Sequence, residues 1–459
     1  MTGSSNGSHG NGSNGTTRWS DSELNRLRTQ ADPTYDQLVE DYRDSHPRLS
    51  EVRGDAEPRQ VRELVKAMTG ELGKAKRNPS GYPADMANPE NVSSLLVRDS
   101  RPKLPDWASD VAQIERGQDV FRENGIYQVV ALFFASLPMA YATEDGAKVL
   151  RDVSDLVNEG KEEHLERRVA ETGQMLLDVM GMSEDLKPGI RHSLEPGGPG
   201  YATALGLRIL HACARLLIRE QKGSERWQEE RFGPPINQEL LLATLLDFTV
   251  VTWAAMDRMG VGLSREDREA HLYTWSIVGY LMGVEACQDG PLTLDDVDQL
   301  KPLLARRHLG KSEDGKRLMS ALLIEMEKYM PLGWRKFPRS LVRWLFQNAP
   351  GDVKRVPDWL GVGRAAWWAV PLFSWLRAAN LQGRKYGPLR WVIRRAGQHI
   401  LIEYTDRRSQ GDAPFRVPGL RVPPQLAEDW RVRKGHIARG VRERRRRVRQ
   451  TMRRPAQGS

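Results

Sequence analysis

Cysteine is almost absent from this chain: Cys213 and Cys287 are the two in 459 residues. That excludes a disulfide framework and any zinc site built on cysteines, and both thiols stand in apolar stretches suited to buried, inert side chains. A secretory leader is also lacking. Residues 2–17 are Gly, Ser, Asn, Thr and a single His, which predicts a flexible leader and a cytoplasmic protein. No uninterrupted apolar run reaches the roughly 18 residues of a spanning helix. The nearest, Ile126–Ala142, contains Gln128, Ser136 and Pro138. A shorter run, Ala365–Leu376, is rich in tryptophan and followed by Arg377; it is too short to span but suited to lie on a membrane surface. Several chemistries lack their signatures: there is no GxGxxG after a strand, no P-loop, no HExxH, no CxxC pair and no GxSxG elbow.

What is present is helix-forming, tryptophan-rich and unevenly charged. The net charge of +9 is local: Arg431–Arg454 holds twelve Lys/Arg and one acid, Glu443, and so carries +11, leaving −2 for the rest. Such a block reads as an interaction tail able to touch anionic membrane. It has no interleaved aromatics, so specific nucleic-acid binding is not expected. Apolar spacing predicts helices over 21–44, 56–77, 117–136, 144–158, 161–182 and 201–222. Further ones are expected from Pro234-Pro235 to Met259, from an N-cap at Ser264 to Val284, and over 294–308, 313–329, 338–347 and 364–381. Residues 78–110 read as a connecting loop, 387–404 as helix or strand, and 411–424 as extended. No strand–helix alternation occurs, so the fold class is all-α, built as a large single helical domain.

Two helical faces carry polar groups among apolar ones. On the first, Arg208 and Arg215 flank His211 at i−3 and i+4, within Leu207–Ile218. An imidazole on a helix can hold a haem iron, and arginines can hold its acidic propionates. A hydrogen-bonded core histidine is the competing reading. On the second, Arg168, Glu171, Thr172 and Met175 share one side, placing a cation, a carboxylate, a hydroxyl and a thioether together. A solvated Arg168–Glu171 ion pair is the competing reading there.

In order along the chain, these segments resemble the MpaB/latex-clearing-protein (rubber oxygenase) family of haem b oxygenases. They are Phe121–Gly125 through Ser136-Leu137-Pro138, then Arg168-x-x-Glu171-Thr172 with Asp178-Val179-Met180, then Arg208-x-x-His211-x-x-x-Arg215, then Pro235–Gln238, and finally Trp275 with Gly279-Tyr280-Leu281-x-Gly283-Val284. The resemblance implies a catalytic domain over 111–350, flanked by a leader (1–20), an N-terminal helical extension (21–110), a C-terminal extension (351–430) and the basic tail (431–459). It implies His211 as axial ligand of haem b iron, with Arg168 and Thr172 near bound O2; Glu171 on that same face and, by helical spacing, Arg208 and Arg215 beside the cofactor complete the candidate site. It also implies oxidation or cleavage of an apolar, prenyl-like substrate. Rubber oxygenases carry a lysine where this chain has Glu171, and their distal base is an upstream glutamate where this chain offers Asp152 or Asp155. Both departures weigh against a rubber-cleaving assignment. A non-catalytic haem-binding or scaffold protein of the same fold is the alternative, and a protein acting through its basic tail a second one.

Overall fold

The computed structural model describes residues 18–45, 103–157, 172–182, 190–220, 227–328 and 330–382. Among them every regular element is helical, and one isolated bridge, Thr143 to Leu309, is the sole strand-like pairing. The expected helix over 56–77, most of the 78–110 loop, the leader, the segments 387–404 and 411–424, and the basic tail lie outside the described residues.

The stretch predicted as one helix over 21–44 is two: α1 (Asp21–Arg28) and α2 (Pro33–Ser45). Pro33 explains the break, because it lacks an N–H and is tolerated only where a helix starts. The Ser20 side chain caps α1 by accepting from Glu23 N, with acids in the first turn and arginines in the last. Helix α3 (Val111–Ala131) starts on an Asp110 cap and passes through a π-helical turn, Leu132–Ser136, into α4 (Leu137–Tyr141). Then come α5 (Glu144–Val157), a helical stretch at 172–179, and α6 (Pro199–Glu220).

The helix predicted to open at Pro234-Pro235 begins later, as α7 (Gln238–Leu246). Asn237 caps it, accepting from Leu240 N. A second π-turn, Asp247–Val251, joins it to α8 (Thr252–Arg258). Ser264 caps α9 (Arg265–Leu281) as expected, and a Thr293–Asp296 capping box opens α10 (Leu294–His308). The remaining long elements are α11 (Glu313–Lys328), α12 (Phe337–Phe346) and α13 (Ala369–Gln382).

Helices α3 and α9 cross at very short range. A Cβ on Gly117 would fall 2.2 Å from Thr274 Oγ1 and 2.4 Å from the Ala270 carbonyl oxygen, so only glycine fits this crossing. One apolar cluster gathers around α1, α3, α6, α7, α9 and α10; a second gathers α4, α8, α11, α12 and the Val356–Phe373 region. Pro199–Glu220 and the continuous run Gln238–Arg258 are long and apolar enough to cross a bilayer, yet most of each is buried within the molecule, as in core helices. Neither is an uninterrupted apolar run, because Arg208, His211 and Arg215 interrupt the first and Asp247 the second.

Candidate functional site

Helix α6 brings Arg208, His211 and Arg215 together as their spacing predicts, and α2 lies along the same helix. Tyr35, Leu38, Val39 and Tyr42 of α2 are buried. The Asp32 carboxylate accepts from Arg208 Nε at 2.5 Å and Nη2 at 3.0 Å, and Arg208 also lies 4.0 Å over the Tyr35 ring. Asp36 accepts from Arg215 Nε at 2.6 Å and faces Arg219 at 3.6 Å, while Arg43 of α2 reaches back to Glu220 at 2.6 Å. A buried guanidinium needs a counter-charge, and Asp32, just before α2, supplies it to Arg208 while Asp36 of α2 supplies it to Arg215. On its other side Arg208 fills the space a Cβ on Gly283 would occupy, a position where the backbone also has φ +78°.

Two polar atoms in this row are buried without a hydrogen-bond partner: His211 Nδ1 and Arg215 Nη2. Burial, with Arg215 acting in the same direction, lowers the His211 imidazole to about 4 against an opposing pull from Asp32. The ring is therefore neutral at pH 7, the form that binds a metal. His271 makes the contrast. It is fully buried on α9, with its ring nitrogens 3.1 and 3.3 Å from the indole nitrogens of Trp253 and Trp275. It is the hydrogen-bonded core histidine that the sequence leaves as the alternative for His211. His192 also has a buried Nδ1 without a partner, but it sits in the loop before α6, off the arginine row.

The second face is described only in part. Thr172 is exposed at the start of the helical stretch 172–179 and Met175 is buried, whereas Arg168 and Glu171 lie outside the described residues. That stretch is tied to α6 through Asp178, which accepts from Thr203 Oγ1 at 2.6 Å and from Gln174 Nε2 at 2.9 Å. Thr203, Leu207 and His211 recur every four residues and so share one side of α6. The stretch carrying Thr172 thus docks beside the helix that carries His211. Asp152 is buried on α5, 3.0 Å from Lys148 Nζ and 2.9 Å from Arg151 Nη2.

Three groups that sequence reasoning passes over belong to the same interior. The two π-turns meet where Ser136 Oγ donates to the Asp247 carbonyl oxygen at 2.6 Å, and π-turns recur at functional sites. Burial raises the Asp247 carboxyl well above the ordinary carboxylate range. Its signal was readable, as the one acid inside Leu240–Val251. Nearby, His308 lies between Glu239 at 3.0 Å and Asp145 at 3.5 Å, and Glu239 also holds Arg28 and Arg307. That cluster joins residues far apart in sequence and leaves no local signal, as do the acids of α2. Neither cysteine is in a disulfide; both thiols are buried and pushed up to about 12, which agrees with inert cysteines.

Among the described residues no three His, Cys, Asp or Glu side chains gather as a metal site. An open groove of about 580 Å³ lies beyond the arginine row, lined in part by Pro33, Asp36, Glu40, Arg219, Glu229 and Glu285. Its lining mixes charged and apolar residues and holds no imidazole.

Comparison with known proteins converges on one fold and one family. A solved structure titled latex clearing protein LCP in the closed state superposes with a TM-score of 0.54 at 20% identity, covering 88% of this chain and 90% of that one. A rubber oxygenase of Streptomyces sp. (strain K30) is 23% identical over 261 residues, which is 56% of this chain and 58% of the relative's length. Residues 127–395 match the family described as ER-bound oxygenase mpaB/B'/rubber oxygenase, catalytic domain. With the α6 row inside that match, the chain belongs to the mpaB/rubber oxygenase catalytic-domain family.

Proposed function

We propose that this protein is a haem b-dependent oxygenase acting on an apolar, prenyl-like substrate. The observation that carries the reading is His211: a neutral imidazole on a core helix of an oxygenase-family fold, with Nδ1 buried and unpartnered. Haem bound there would supply the binding and activation of O2. The chain's residues would do the rest. His211 would hold the iron through a ring nitrogen. Arg215 has a free Nη2 to offer an acidic propionate, while Arg208 would have to share its guanidinium with Asp32. Thr172, with Arg168 and Glu171 at the spacing the sequence gives them, would present polar groups to bound O2. Apolar side chains that stay partly open around the π-turns, such as Leu132, Phe133 and Phe248, would exclude water and receive the substrate. The Glu171 departure weighs against polyisoprene itself and for a smaller molecule.

One observation favours the scaffold alternative: Arg208 and Arg215 already have carboxylate partners, Asp32 just before α2 and Asp36 on it. Hemin titration of purified protein separates the two readings. The expected result is a Soret band of histidine-ligated haem in the wild type and its loss in His211→Ala. Protein that stays colourless with excess hemin would leave the scaffold reading standing.

A further inference from the structure

The surface of α13 and the loop before α12 has a composition that water does not favour. All the exposed large hydrophobic side chains among the described residues stand between Ile324 and Leu381. Trp367 is 89% exposed, Leu332 80%, Leu381 57% and Trp375 55%, with Trp334 and Val370 beside them. Ring contacts join the loop before α12 to the region of α13. The Trp334 ring lies 4.9 Å from that of Trp368, and Phe337 links Trp334 to Phe373 of α13 at 6.1 and 5.4 Å. Helix α13 buries only Ala369 and Phe373, the latter against Trp344 and Phe337. Its outward side carries Val370, Pro371, Trp375 and Leu381 among Ser374, Arg377 and Gln382, more apolar surface than a helix facing water usually shows. Contiguous apolar surface of this kind marks an interaction site.

Charge says what covers it. The sequence has no Asp or Glu between Glu327 and Asp352, nor between Asp358 and Glu403. Arg335, Lys336, Arg364 and Arg377 are exposed at the patch and make no ion pair with a described residue. Indoles ringed by unpaired cations match the boundary of an anionic bilayer, where tryptophan rests at headgroup depth and cations meet phosphate. A second copy of the chain fits less well, because a two-fold contact would set these cations against their own equivalents.

We infer that the face formed by residues 332–336 and 367–381 is a membrane-docking surface that inserts Trp367 and Trp375 into the headgroup region of an anionic bilayer. It is distinct from the basic tail, and it does not depend on the haem reading. Flotation of the full-length chain with phosphatidylcholine vesicles, with and without added phosphatidylglycerol, tests it. The wild type should float with the anionic vesicles and release as salt rises. Trp367→Ser with Trp375→Ser should weaken binding by about tenfold or more, at an unchanged thermal midpoint because both side chains are exposed. Arg364→Ser with Arg377→Ser should weaken binding to the anionic vesicles alone. The inference is overturned if the wild type does not float or the tryptophan variant floats like it. It is also overturned if binding disappears only when Arg444, Arg445, Arg446 and Arg447 are changed to serine, or if the tryptophan variant merely converts a dimer to a monomer in light scattering.

Discussion

At the scale of single residues, His308 shows how far this interior departs from ordinary ionisation. Burial alone would lower its imidazole, but the Asp145 and Glu239 carboxylates outweigh that and hold it at about 9. For Glu239, burial opposes ionisation, and His308 with Arg307 overcomes it, lowering the carboxyl to about 2. The imidazole is thus raised above its ordinary 6.5, so its contribution to stability is complete below about pH 6.5 and is lost as pH rises through about 9. The carboxylates run the opposite way, contributing above their ordinary range and losing that contribution as pH falls through their lowered values. Thermal midpoints measured against pH should decline on the alkaline side for the wild type. In His308→Gln that decline should flatten, on a protein destabilised by about 3–5 kcal/mol, the cost of breaking a buried pair. An unchanged alkaline limb in the variant would remove His308 from this role. Nothing in the sequence near His308 discloses the cluster, since Glu239 lies 69 positions away and Asp145 163 positions away. His211 was legible for the opposite reason: its two arginines are on its own helix, at spacings that geometry fixes.

At the scale of elements, the α2–α6 pairing is where local reading ran out. The spacing of Arg208 and Arg215 correctly put them in one row, but their partners Asp32 and Asp36 sit 176 and 179 residues earlier. Helical periodicity carries no information about such distant pairs. Elements whose ends carry their own chemistry were read well: α10 runs from Leu294 to His308 as expected because Thr293 and Asp296 cap it reciprocally. The π-turns were not seen, because one extra residue per turn at Leu132–Ser136 and Asp247–Val251 leaves the apolar pattern of a long helix almost unchanged. The pairing predicts an asymmetry that denaturant titration can check. Asp36→Asn strands the fully buried Arg215 and should cost about 3–5 kcal/mol. Glu23→Gln on α1 removes a carboxylate from an exposed Arg26 pair and should cost under about 1 kcal/mol. Equal losses would mean that α2 does not neutralise the α6 row.

At the scale of the whole molecule, the all-α architecture was legible throughout, because long amphipathic segments punctuated by Gly, Pro and capping residues leave no alternative class. The family was legible from ordered fragments, and the match over residues 127–395 agrees with it. The second polar face was less so: the stretch carrying Thr172 docks beside α6 through Asp178, while Arg168 and Glu171 lie outside the described residues. The proposed function rests on His211 as the group that would turn a helical core into a cofactor site. Its most direct test is the visible spectrum of hemin-loaded His211→Gly, before and after adding free imidazole. The account predicts that the variant lacks the histidine-ligated Soret band and that imidazole, occupying the space left by the missing ring, restores it. A full-strength, histidine-type band in His211→Gly without added imidazole would contradict it.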